Sequence, residues 1–159
     1  MKCIFATDLA HGFGINGTLP WPTNKTDLDY FRQVTHGKYI LMGYNTYKTL
    51  PPLPYRTPVV VSRHEIEGVF TVRPDEDFLA NIYELDQSLS GELTIIGGTS
   101  LLTPEILGMC KEVHHTTIIG TFPVDTYVPA ESMEKLTQFP NSELITNTDK
   151  LIIRKYINE

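Results

Sequence analysis

Two short stretches constrain this chain most: "ILMGYNTYKTL" (residues 40–50) and "TIIGGTSLL" (94–102). Each runs from an apolar strand through glycine into a helical pattern. Near-continuous apolar runs suit strands covered on both faces, and hence a parallel sheet flanked by helices. The turn that follows aims free backbone N–H groups and a positive helix end past the carboxyl edge of that sheet. Open α/β sheets bind nucleotides at that edge. Gly43, Gly97 and Gly98 also permit tight turns with no ligand, so one such site alone would say little. Two in a small chain, facing the same way, point to a dinucleotide, with Thr46, Thr99 and Ser100 as further donors. Gly97-Gly98 has no Cβ on either residue, which suits close backbone approach or an unusual peptide geometry.

The remaining pattern agrees. Strands are expected over 2–9, 38–43, 57–62, 68–72, 92–98, 112–120 and 150–157, and helices over 24–36, 44–50, 76–87 and 99–108. Strand–helix alternation followed by strands alone predicts a single α/β domain over 1–159. Its sheet is mostly parallel and ends in an antiparallel hairpin. The Pro-rich "LPPLPYRTP" (50–58) connects a helix to a strand and is too short to divide domains. With 159 residues, 41% hydrophobic and 20% charged, the chain can bury a real core. No apolar run reaches membrane-spanning length, "MKCIFATDLAHG" does not read as a secretory leader, and Cys3 and Cys110 are too few for a disulfide framework. A cytoplasmic monomer is the expectation. The net charge of −6 argues against a nucleic-acid partner but leaves room for a small anionic ligand held by local arginines.

"GFGING" (12–17) satisfies the dinucleotide pattern G-x-G-x-x-G, yet Pro20 and Pro22 follow where that fingerprint needs a helix. The segment reads as a glycine-rich loop with a stiffened tail, either a cover for a ligand or a plain surface connection. Asp27 lies on the stripe formed by Leu28, Phe31, Val34 and Thr35, where an unpaired carboxylate is costly. Asn24-Lys25-Thr26-Asp27 also resembles a capping box, so a capping role and a ligand-binding role both stay open. Arg32 and Arg56 suit carboxylate binding, or are solvated surface residues. His114 and His115 must point to opposite faces of a strand and cannot chelate one metal together; no metal site is expected. No serine or cysteine stands in a nucleophile's setting.

In combination, "GINGTLPW", "TDLDYF", "ILMGYNTYKTL", "LPYRTPVVVS" and "TIIGGTSLL" resemble dihydrofolate reductase, in the same order across about residues 1–127, and the C-terminal strand pattern fits. The resemblance implies an eight-stranded, mostly parallel sheet with about four flanking helices. It implies reduction of 7,8-dihydrofolate to tetrahydrofolate by NADPH, supplying one-carbon metabolism and thymidylate synthesis, and sensitivity to antifolate inhibitors. Asp27 matches the pterin-binding acid and Thr116 the strand threonine linked to it. Ile4 and Ile96 match positions whose carbonyls meet the pterin amino group. Ala6, Leu28, Phe31, Leu50 and Leu53 match the apolar walls, and Arg56, with Arg32 nearby, the grip on the substrate's glutamate carboxylate. Leu19 and Trp21 lie on the loop that covers the nicotinamide.

For the cofactor, the resemblance implies the two turns at Gly43, Tyr44, Asn45 and Thr46 and at Ile96, Gly97, Gly98, Thr99, Ser100 and Leu101, with a cis peptide at Gly97-Gly98. It adds Ala6, the loop residues Phe13, Gly14, Ile15, Gly17 and Leu19, and Thr126. Ser62, Arg63 and His64 follow a strand, and Arg63, more than Arg73, matches a holder of the 2′-phosphate. Tyr44, Asn45 and Ser100 replace residues often basic in the family, which throws that grip onto Arg63; Leu102 replaces a frequent tyrosine. A related reductase of a pyrimidine in flavin synthesis and a nucleotide-binding module without catalysis are the competing readings.

Overall fold

A computed structural model describes residues 1–159. The chain runs β1 (Lys2–Thr7), β2 (Gly12–Gly14), α1 (Lys25–Thr35), β3 (Tyr39–Gly43), α2 (Tyr44–Thr49), β4 (Thr57–Val61), β5 (Phe70–Val72) and α3 (Phe78–Ser88). It continues through β6 (Thr94–Gly97), a 3-10 turn (Thr99–Leu101), α4 (Pro104–Met109), β7 (Glu112–Ile118), β8 (Thr126–Tyr127), α5 (Ala130–Thr137), β9 (Asn141–Asn147) and β10 (Leu151–Ile157). Eight strands form one sheet in the order β5-β4-β3-β6-β1-β7-β10-β9, and β2 pairs with β8 in a separate ribbon. The first six of that order are parallel, while β10 runs antiparallel to both β7 and β9. No helix is long and apolar enough to cross a membrane.

Strand alternation sorts the apolar runs onto two faces. Ile4, Ile40, Met42, Val60 and Ile96 form one cluster, packed by Phe31 and Val34 of α1 and by Tyr47 and Leu50 at α2. Their strand neighbours Cys3, Phe5, Leu41, Val59 and Ile95 point the other way. They meet Ile82 of α3, Ile106 and Leu107 of α4 and Leu136 of α5 in the larger core. Sandwiched this way, the central strands need no polar side, which is why they read as unbroken hydrophobic segments.

Five α-helices flank the sheet rather than four, and three expectations need correction. The helix expected over 99–108 breaks into two, because Thr103 accepts a hydrogen bond from Ile106 N and Pro104 opens α4 as a fresh N-terminus. α5 was not anticipated in "AESMEKLT", where an eight-residue helix gives too few turns for a clear period. Nor was β9, a largely exposed edge strand whose sequence "NSELITN" carries no apolar alternation.

Candidate active site

α1 begins where the Asn24 side chain accepts a hydrogen bond from Asp27 N at 3.1 Å. That satisfies one orphan amide of the first turn and sets the helix's rotation. Asp27 is therefore the third residue of a capped helix and a half-buried carboxylate at once: the two readings left open are compatible. The stripe it shares faces the core only towards its end. Leu28 is 46% exposed, Phe31 and Val34 are half-buried, and Thr35 alone on the helix is fully buried. The physical reason is that α1 packs on the sheet through its later turns, by Phe31, Val34 and Thr35, while its first turn is more open to solvent. Burial pushes the Asp27 carboxyl above its ordinary range, and a hydrogen bond from Thr116 pulls it partly back. Lys25, the nearest cation in sequence, is engaged with Asp29 at 2.6 Å.

Thr116 is 2% exposed and sits on β7 directly opposite Ala6 of β1. On the same face His114 is hydrogen-bonded to the Tyr30 hydroxyl and lies 3.1 Å from Glu112, fastening α1 to the sheet. His115 points to the other face and meets Thr7 Oγ1 at 2.8 Å. Trp21 is buried against Ile118, Leu151 and Ile153, with Phe122 edge-on at 6.2 Å. Leu19, two residues earlier, is 54% exposed.

At the other end of α1, Arg56 Nη1 donates to Thr35 Oγ1 at 3.2 Å, and its Nε is buried without a partner. Burial, then the charge of Arg32, holds its pKa below the usual value. Arg32 itself is exposed and paired with Asp29 at 3.1 Å. Two guanidinium groups of like charge and an unanswered N–H call for an anion between them. Leu50 and Leu53 pack beneath, on the cluster that holds Phe31.

The two glycine turns lie side by side. A Cβ built on Gly43 would stand 3.8 Å from Gly98 N, and one on Gly98 would stand 3.4 Å from Thr46 Oγ1. The Gly97-Gly98 peptide is cis. Neither α2 nor the 3-10 turn has a side-chain cap, so their first amides are left for another acceptor. The glycine-rich loop reaches the second turn and the far end of α2. The Phe13 ring lies 3.1 Å from a Cβ built on Gly97, and Thr49 lies 3.1 Å from one built on Gly17. Gly14 is paired with Thr126 across the β2–β8 ribbon, and Ile15 bridges to Thr18. Backbone amides and the Thr46 hydroxyl are thus gathered at one edge of the sheet, with the glycine-rich loop lying against the Gly97 turn.

Other expected cofactor residues are placed less directly. Leu101 is buried in the core behind the sheet, as is Leu102, so its side chain is withdrawn and its backbone alone stays near the turn. Ser62 is buried and its hydroxyl accepts from His64 N at 3.1 Å, a local turn contact. Arg63, His64 and Arg73 are exposed beyond the ends of β4 and β5, at the edge that carries Gly43. Tyr44, Asn45 and Ser100 are exposed. Sequence reasoning missed Lys48, whose Nζ lies 4.9 Å from the Tyr44 ring centroid, although i,i+4 spacing on a helix signals such a pair. It also missed Asp125, whose carboxylate accepts from Asn16 N at 2.9 Å across the loops, a contact no local pattern announces.

A parallel α/β sheet with twin glycine turns at its carboxyl edge has the architecture of a dinucleotide-binding protein. The comparisons are more specific. Residues 1–156 match the dihydrofolate reductase family model. The dihydrofolate reductase type A10 of Escherichia coli is 33% identical over 147 residues, covering 86% of this chain and 76% of that one. The dihydrofolate reductase of Haemophilus influenzae is 33% identical over 83% of this chain and 80% of its own. Among solved structures, a dihydrofolate reductase from Enterococcus faecalis complexed with NADP(H) and RAB-propyl superposes with a TM-score of 0.71. It covers 99% of this chain and 96% of that one at 24% identity, a likeness of fold. The chain belongs to the dihydrofolate reductase family, and its reaction is the family's reduction of 7,8-dihydrofolate to tetrahydrofolate by NADPH.

Proposed function

We propose that Asp27 is the group that recognises the substrate's pterin. The observation that carries this is a half-buried carboxylate with a raised pKa, with a threonine hydroxyl and no cation for company. An amidine-like edge bearing two N–H donors answers that geometry. When bound, NADPH supplies the hydride that goes to C6 of the pterin. Asp27 holds the pterin by the end remote from N5, so it orients and polarises the ring rather than protonating it. A water admitted beside Leu19 and Trp21 delivers the proton to N5, and the apolar walls of Ile4, Ala6, Phe31 and Leu50 keep bulk solvent out. Arg56, with Arg32 at the rim, takes the substrate's carboxylate tail.

The uncapped turns at Gly43–Thr46 and Gly97–Thr99 take the pyrophosphate, and Arg63 takes the 2′-phosphate with Lys48 and Arg73 in support. The chain works as one domain over 1–159, as a cytoplasmic monomer, and is open to antifolate inhibitors that carry the same donor edge. The test follows loss of the reduced nicotinamide absorbance with NADPH and either dihydrofolate or the pyrimidine of flavin synthesis. Turnover with dihydrofolate that vanishes in D27N supports the assignment. Turnover with the pyrimidine alone, or none with either, overturns it.

A further inference from the structure

We infer that Asp8 is a positioning residue for the reaction, the latch that holds the glycine-rich loop closed. It rests on the proposed role of that loop. Asp8 follows β1 and is 2% exposed. Its Oδ1 accepts from Ala10 N at 2.8 Å and from Gly12 N at 2.8 Å, and its Oδ2 accepts from Phe122 N at 3.1 Å. One carboxylate thus closes the turn at the root of the loop and ties that root to a segment 114 residues away. That segment carries Phe122, which stands edge-on to Trp21, and Asp125, which holds Asn16 near the loop's tip. Asp8 is the buried end of this clasp, and its three bonds from neutral donors to a charged acceptor are of the strong kind.

The first glycine of "GFGING" serves Asp8 and no ligand. A Cβ on Gly12 would stand 2.7 Å from Asp8 Oδ2 and 2.8 Å from Val124 Cγ1, so no side chain fits between the carboxylate and the opposite loop. His11, just before it, is held at φ 65°, a left-handed conformation that a non-glycine residue adopts at a cost. A cavity of about 320 Å³, bordered by Leu9, His11, His115, Met133 and Tyr156, lies beside the turn. Main-chain bonds from Asp8 N to Gly12 O at 2.9 Å and from Val128 N to His11 O at 3.0 Å share in holding the turn, and the Asp8 carboxylate adds three bonds from one buried side chain.

D8N separates the two halves of the device. Its carbonyl can still serve Ala10 and Gly12, whereas its amide nitrogen would face the N–H of Phe122, donor against donor. The experiment mixes the enzyme–NADPH complex with excess dihydrofolate and reads a single turnover from the nicotinamide absorbance. The emission of Trp21, the chain's sole tryptophan, is read alongside, below the melting temperature of each variant. For D8N we expect the hydride step to slow by about tenfold and the Trp21 emission to move to longer wavelength. G12A, which forces a methyl group against Asp8, should change both readings in the same direction. A D8N protein that melts lower but keeps the wild-type single-turnover rate and Trp21 emission would overturn the inference. Wild-type turnover is read in the same series, so a failure of the reductase reading shows as no wild-type signal. Trp21 emission still reports on the latch in that case.

Discussion

The replacement D27N should make the folded protein more stable and the enzyme far worse. The activity loss follows from counting donors and acceptors. The carboxylate offers two acceptor oxygens to the two N–H groups of a pterin edge, whereas asparagine offers one and sets its own amide donors against the second N–H. Losing one charge-assisted hydrogen bond costs about 1.5–3 kcal/mol and the opposed donors about 1–3 kcal/mol more, together roughly two to four decades in kcat/KM. Stability moves the other way. Burial penalises ionised Asp27, so its carboxyl is a weaker acid in the folded chain than in the unfolded one. That makes the wild type lose stability as pH rises from the unfolded value near 3.8 through the raised folded value. Asparagine, neutral throughout and able to accept from Thr116, escapes the penalty, so D27N should melt above the wild type at pH 7. The assay is turnover at pH 7 together with ligand-free melting at pH 7 and near pH 3.5. The melting gap should be open at pH 7 and nearly closed at the lower value. Turnover within threefold of wild type, or a D27N protein that melts several degrees lower at pH 7, would refute the reasoning.

R56A should raise the KM for dihydrofolate by about ten- to a hundredfold. It should leave a pterin substrate without the carboxylate tail unaffected, and an equal loss for both would move the tail elsewhere. R63A should weaken NADPH, measured by equilibrium titration, by about tenfold or more while leaving NADH as it was. A parallel loss for the two cofactors would assign Arg63 to the fold instead. At Glu92, burial works to raise the carboxyl, but hydrogen bonds from Lys38 and Lys2 and their charges bring it to about 2. Because that carboxyl is partly exposed, E92Q should cost no more than about 1 kcal/mol at pH 7. The wild type's advantage in melting temperature should then fade as pH drops from 4.5 towards about 2.

The sheet was legible because its central strands are buried on both sides, so Val59-Val60-Val61 and Ile95-Ile96 leave no other reading. Asp27 was legible as a misfit, an acid among Leu28, Phe31 and Val34. What those residues face was not legible: a half-exposed face and a core face carry the same period, and Leu28 lies on the former. The turns at Gly43 and Gly97-Gly98 could be placed at one edge of the sheet, but their lateral contact depends on β3 and β6 being neighbours. Strand order is a property of the whole chain. Asp8 carried no local signal, since its partners are backbone amides and any residue but proline would supply them.

The two edges of the parallel sheet explain how a chain of net charge −6 can hold two anionic ligands. At the amino-terminal edge Lys2, Lys38 and Lys111 surround Glu92 at 3.2, 3.1 and 3.4 Å, and Glu112 stands within 3.9 Å of Lys2 and 3.8 Å of Lys155. Those cations are spent on the protein's own acids, where they hold strand starts together and leave little field for a ligand. At the carboxyl edge the order is reversed. Gly43, Gly97 and Gly98 present backbone amides, and Arg63 and Arg73 stand exposed with no carboxylate within ion-pair reach. A ligand's phosphates meet that edge undiluted by intramolecular pairing, so the global charge says little about what binds. The division carries a consequence for mutation. Changing a lysine of the first edge should lower melting temperature at constant KM, and changing an arginine of the second should raise a ligand's Kd at constant melting temperature. A K38 variant that weakened NADPH at unchanged stability would show that the separation of the two edges is false.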